Sequence, residues 1–174
     1  MTPIRRFGAV DFVLFLCVVL LAAGVRAGYL MLNCDNGRAA GPLVVQDPAD
    51  QAELRTLAHS VRDGNTFVSA APLSSGPEQT AHASPGYPWL LGLLGRVVPD
   101  EGRLDFIMRW TQCGLGGLTA GFYFLFARRA FRSLGVAALA GSLCALNPFW
   151  VVNAAQIDDG VLISFLVSLT PVSY

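Results

Sequence analysis

Charge is scarce in this sequence and it cancels: Asp, Glu, Lys and Arg make up 14% of 174 residues, with 12 of each sign. There is no basic stripe, which excludes nucleic acid as a partner. The sequence also holds only 4 cysteines and 2 histidines, at spacings that match neither a zinc site nor a disulfide framework. Cys17, Cys113 and Cys144 lie inside apolar blocks and Cys34 lies between blocks, so the cysteines read as packing residues. A glycine-rich phosphate loop, a nucleophile elbow and a zinc-binding helix motif are missing as well. Soluble-enzyme readings therefore have no motif to stand on.

What is abundant is apolar side chain, 53% of the sequence, gathered into blocks instead of being spread at helical or strand period. Phe12 to Val25 is apolar throughout, and the run extended over 9–32 exceeds the ~20 residues that a spanning helix needs. Asp11 and Arg26 then fall near its ends, within reach of headgroups. Further runs cover 104–127, rich in Gly and Ala that let helices approach closely in lipid, and 134–155. A last run over 161–170 is too short to cross a bilayer. The expected fold is all-α integral membrane: about three full transmembrane helices plus a partial fourth, as one unit over 1–174.

Arg5 and Arg6 precede the first run, and Arg128, Arg129 and Arg132 fill the turn between the second and third. Basic residues in short loops stay on the cytoplasmic side, so the N-terminus is expected inside and the long segment 33–103 outside. A signal peptide ending near Val25-Arg26-Ala27 competes for the first run. Arg26 within that cleavage site, and apolar residues continuing to Leu32, favour a span.

With that topology Asp47, Asp50 and Glu53 emerge on the same face as Asp158 and Asp159, an arrangement suited to a carboxylate site at the water–lipid boundary. DPADQAELRTLAHSVRDG predicts a short helix with Asp47 as N-cap, Pro48 at the first position and Gly64 as terminator. Its apolar stripe is Leu54, Leu57, Ala58 and Val61, and Asp50 falls on the same stripe with Glu53 one step aside. Asp47 reads as a cap, whereas capping and chemistry are both open for Asp50. A Pro-, Ser- and Gly-rich connection then leads to SPGYPWLLGLLGRVVP, a proline-bracketed turn and a short amphipathic helix suited to lying along the membrane surface.

The order of these pieces, DQAELRTLAHSVRDG, SPGYPWLLGLL, MRWTQCGLGGLTAGFYFLFARRAF and LGVAALAGSLCALNPFWV, resembles the N-terminal part of the lipid-phosphate-sugar-dependent glycosyltransferases with the GT-C fold. That group includes the protein O-mannosyltransferases and the aminoarabinose transferases of lipid A. The resemblance implies a multi-pass protein of the plasma (inner) membrane that moves a sugar from a polyprenyl-phosphate carrier to an acceptor on the outer face. It matches Asp50 to the acid that takes the acceptor's proton. It matches Asp158 or Asp159 to a second acid, whose roles include binding a divalent metal ion, and the step to Leu162 favours Asp159. Arg26, His82 and Arg109 become candidates for holding the carrier phosphate. His82 stands where the family often has Arg and could do so only when protonated. Against these roles stand a solvated loop histidine for His82 and snorkelling anchors for both arginines.

Relatives carry many more spans, and the ending TPVSY interrupts an apolar helix, so a truncated copy is expected. A small non-catalytic membrane subunit or assembly factor is the alternative. A transporter piece would need acids within the spans, and here they sit at the ends.

Overall fold

An uninterrupted apolar stretch with no proline gives the first helix, α1 (Ala9–Asn33), which is 25 residues long. At 1.5 Å per residue it spans about 38 Å, enough to cross the hydrocarbon core. The computed structural model describes residues 8–35, 38–39, 48–64, 86–98, 100–156 and 159–170, and among these α1 is the one helix long and apolar enough to cross a membrane. By length and composition alone such a helix fits a span, a signal sequence or the core of a soluble protein.

Two residues each of β1 (Cys34–Asp35) and β2 (Arg38–Ala39) pair antiparallel, and the other elements are helical: α2 (Pro48–Arg62), α3 (Gly86–Val97), α4 (Glu101–Phe131), α5 (Leu134–Leu146), α6 (Pro148–Asn153) and α7 (Gly160–Leu169). The backbone of α2 begins at Pro48 as its sequence requires and stops before Gly64, which takes the left-handed φ of 79°. Asp100 caps α4, its side chain accepting from Arg103 N at 2.9 Å, and Arg132 closes that helix in the left-handed region. The run 104–127 thus lies inside a longer helix of 31 residues. Asp105, Arg109, Thr111 and Gln112 in its first half leave it less apolar than α1.

The expected third span over 134–155 is not one helix. Pro148 has no N–H to give the carbonyl one turn back, and it disfavours helical backbone at Asn147, which sits at φ −62°, ψ 116°. Asn147 instead caps the next helix, its Oδ1 accepting from Phe149 N at 3.0 Å. The architecture is therefore helical with one helix long and apolar enough to span, and the expected second and third spans are a long mixed helix and a broken pair.

α1 packs along α4 and α5, and α7 lies along α4. Small residues set these approaches: a Cβ on Gly121 would sit 2.6 Å from Phe15 and Val19, and one on Gly141 would sit 2.8 Å from Val18. The core between the helices is Val18, Ala22, Ala120, Phe124, Ala127, Ala137 and Ala145. Asp11 does not reach outward as expected. It is buried, and its Oδ1 accepts from Arg128 Nε at 2.5 Å, because an interior carboxylate needs a charged partner. Arg128 accordingly belongs to α4 and not to a turn.

α2 and α3 form a separate layer at the other end of α4. Leu57 and Ala58 are buried, and Ala58 packs with Tyr87 and Leu91. Gly92 lies so close to α2 that a Cβ would meet Ala58 O at 2.7 Å. Arg96 donates to the last carbonyls of α2, Val61 O at 2.9 Å and Arg62 O at 3.2 Å. Arg55 bridges to Asp105 at 2.5 Å, which fastens this layer to the first turns of α4. Away from these contacts the helices present large apolar side chains outward, including Leu20 at 69% exposure, Leu143 at 64% and Leu166 at 54%.

Candidate functional site: a buried arginine beside a cavity

Arg26 sits in α1 and is 1% exposed. Its Nη1 donates to Ala22 O, one turn back, at 2.9 Å, and to Ala145 O at 3.2 Å, while Nη2 donates to Cys144 O at 3.4 Å. The last two acceptors are explained by the break in the following helix. Cys144 O would normally receive the N–H of residue 148, which is proline, and Ala145 O would receive Phe149 N, which Asn147 captures. Arg26 therefore satisfies two carbonyls that the Asn147-Pro148 break leaves open.

Gly116 makes this burial possible, since a Cβ there would stand 2.5 Å from Arg26 Nε and 2.8 Å from its Cδ. Among the described residues Nε has no hydrogen-bond partner and the guanidinium meets no carboxylate. A guanidinium keeps its charge, so this corner of the fold carries a positive charge that, among the described residues, meets backbone carbonyls. Beside it lies a cavity of about 280 Å³ lined by Arg26, Gly116, Thr119, Trp150, Gly160 and Ser164, among others. A desolvated cation and the Ser164 hydroxyl beside the Trp150 ring are a set that can receive an anion, while the Thr119 hydroxyl already donates to Leu115 O at 2.8 Å.

Arg109 has a parallel position on α4: 3% exposed, with Nη1 donating to Ala155 O in the turn that follows α6. Neither arginine snorkels, because each is turned inward onto carbonyls of the broken helix. Asp159 stands at the N-cap position of α7 with φ −78°, ψ −14°, and its side chain does not cap that helix. The next residue, Gly160, lines the Arg26 cavity. Arg26 and the start of α7 are thus brought to one place.

Asp50 and Glu53 lie on the backbone of α2, with side chains outside the described residues, as Asp47, His82 and Asp158 are altogether. α2 meets α4 at Glu101 and Asp105, and about 16 Å of helix rise separates Asp105 from Gly116. No cluster of three or more His, Cys, Asp or Glu that could hold a metal occurs among the described residues. Thr119, Trp150 and Ser164 were not singled out from sequence. The signal that could have found them is a hydroxyl at helical step from Gly116 and another within the short apolar run of α7.

No family model matches this chain, and no curated protein or solved structure matches it.

Proposed function

We propose that this chain is a membrane protein that holds the phosphate of a polyprenyl-phosphate-linked sugar at Arg26, as part of a glycosyltransferase acting on the outer face of the membrane. The observation that carries this reading is a buried guanidinium with an unused Nε at the wall of a cavity. In it α1, α4 and the α5–α6 pair cross the plasma (inner) membrane with the N-terminus cytoplasmic, α7 is a partial fourth that does not cross, and α2 and α3 lie at the outer surface. Support comes from the Asp11–Arg128 pair, which holds the start of α1 beside the end of α4. The arginines at 128, 129 and 132 then share one side with the N-terminus, the side that keeps basic residues. The outward apolar side chains of α1, α5 and α7 find a partner in lipid, whereas soluble monomers seldom expose so much apolar surface.

In this mechanism Arg26 neutralises the charge that grows on the carrier phosphate as the glycosyl bond breaks. Asp50 accepts the proton of the acceptor hydroxyl, and Asp159, next to the cavity, orients the sugar. The test is transfer of labelled sugar from a polyprenyl-phosphate donor in membranes containing the chain. Asp50→Asn should lower the rate by about 10²-fold or more and Arg26→Lys should weaken donor binding. Donor that neither binds nor turns over would sink the reading.

A second reading is favoured by the carbonyl contacts themselves. Arg26 and Arg109 both fasten the broken α5–α6 segment, which is what a non-catalytic membrane subunit or assembly factor would need from them. On that reading Asp50→Asn leaves every phenotype intact.

A further inference from the structure

The first turn of α7 faces two different parts of the molecule. Gly160, Val161 and Ser164 line the cavity beside Arg26. Leu162 is turned the other way, about 160° around the helix from Ser164, and packs against the cluster of Ala58, Tyr87, Leu91 and Met108 that joins the α2–α3 layer to α4. A Cβ on Gly86 would stand 3.6 Å from Leu162 Cδ2, so the start of α3 already lies within van der Waals reach of this side chain. That end of α3 is itself anchored. Tyr87 is 1% exposed and its hydroxyl accepts from Gln112 Nε2 at 3.2 Å, one turn before Gly116 on α4. The opposite wall of the cavity is fixed independently, because Arg26 is held by the carbonyls of residues 22, 144 and 145 and backed by Gly116.

We propose that Leu162 is a positioning residue for the Arg26 cavity: it carries the seating of the α2–α3 layer through the first turn of α7 to Gly160, Val161 and Ser164 on the cavity wall. This deepens the reading above by naming a regulation of the same site, and it rests on that reading for the cavity's being the functional one. A helical turn moves as a unit, since its backbone bonds fix neighbouring residues together, so Val161, 7% exposed, follows Leu162 when the layer shifts. Of the two walls, the one at Arg26 is tied on three sides, and the width of the cavity is set by where α7 stands. The layer that presses on Leu162 includes α2, whose backbone carries Asp50. A ligand seated on α2 is thereby felt at Arg26 without touching it, through one packed side chain with a defined neighbour on each side.

The experiment places a thiol on the cavity wall with Ser164→Cys and follows its reaction with methanethiosulfonate ethylsulfonate, a small anionic reagent, in the full chain in maltoside micelles, read at residue 164 by peptide mass spectrometry. Adding Leu162→Ala should raise the labelling rate about fivefold, and Leu162→Met, which keeps the volume of the contact, should return it to the starting rate. Leu91→Ala, on the layer side of the same contact and off the cavity wall, should raise the rate as well, and with Leu162→Ala the two effects should combine to less than their product. Gly141→Ala strains the core against Val18 without touching the layer, and Leu166→Ala alters an outward side chain of α7, so both should leave the rate unchanged. An unchanged or lower rate in Leu162→Ala, or an equal rise in Gly141→Ala, would overturn the proposal. If Leu91→Ala fails to fold, the contrast of Leu162→Ala with Leu162→Met and Gly141→Ala decides alone. Labelling reads the shape of the cavity and not sugar transfer, so a chain that never binds the donor ends the glycosyltransferase reading and leaves the coupling standing. Sugar transfer with a labelling rate indifferent to Leu162 does the opposite.

Discussion

Asp11 Oδ1 and Arg128 Nε lie 2.5 Å apart although 117 residues separate them in the chain. Both side chains are largely buried, at 9% and 13% exposure, so each is the other's compensation for lost solvent. Removing one leaves a charge in the interior. Asp11→Ala or Arg128→Ala alone should cost about 3 kcal/mol, while the Asp11→Ala, Arg128→Ala pair should cost clearly less than the two singles together. Thermal unfolding in micelles measures this cycle, and additive losses would show that the contact carries no coupling.

Gly116 and Gly114 share α4 and differ in surroundings. A Cβ at 116 would press on Arg26, whereas one at 114 meets nothing within 4 Å. Gly116→Ala should therefore lower stability by about 1–3 kcal/mol, and Gly114→Ala should be neutral or stabilise by up to about 1 kcal/mol. Melting temperatures of the two variants, measured side by side, test the contrast.

Gly92 has backbone, not a flexible side-chain end, in the way of any added carbon, with Ala58 O at 2.7 Å. Gly92→Ala must push α3 off α2. Hydrogen exchange over α2 should rise while exchange in α1 stays as it was, because the α2–α3 layer is fastened to α4 by Arg55–Asp105 and Gln112–Tyr87 and to α7 at Leu162, while α1 packs along α4 and α5. Uniform change across both layers would show that they do not loosen separately.

Asn147 is the hinge residue of the broken helix, capping Phe149 N at 3.0 Å. Asn147→Ala should cost about 1 kcal/mol. Pro148→Ala restores an N–H that can reach Cys144 O, so it competes with Arg26 for that carbonyl. The Trp150 fluorescence of the Pro148 variant should shift as α6 realigns with α5, and an unchanged spectrum would mean that the break does not depend on proline.

Periodicity and composition made much of the fold legible. The first run was read as 9–32 and the helix covers Ala9–Asn33, since nothing in it competes with helical backbone. The Pro48 start and Gly64 stop of α2 were equally plain, because both residues act locally. What local signals could not give was partnership. As sequence, Asp11 is a terminal charge and Arg26 either an anchor or a phosphate ligand; that Asp11 meets Arg128 and that Arg26 meets the carbonyls of residues 144 and 145 are facts of tertiary packing. Apolar content continues across Pro148 and hides the break in hydropathy, although proline chemistry outweighs hydropathy there. Of the candidate site, the arginine and the acid before α7 were legible. The hydroxyls and rings that line the cavity were not, since their convergence depends on how α4 faces α7.

Arg26 also has a schedule. Its acceptors Cys144 and Ala145 are made 118 and 119 residues later, which at ordinary synthesis speeds is a delay of roughly ten seconds. Through that interval α1 carries a charge whose fixed partner among those acceptors is Ala22 O, one turn away. In the proposed membrane setting, α1 has to wait beside the insertion machinery until α5 arrives to close around it. Assembly order, and not affinity alone, then decides whether the pocket forms.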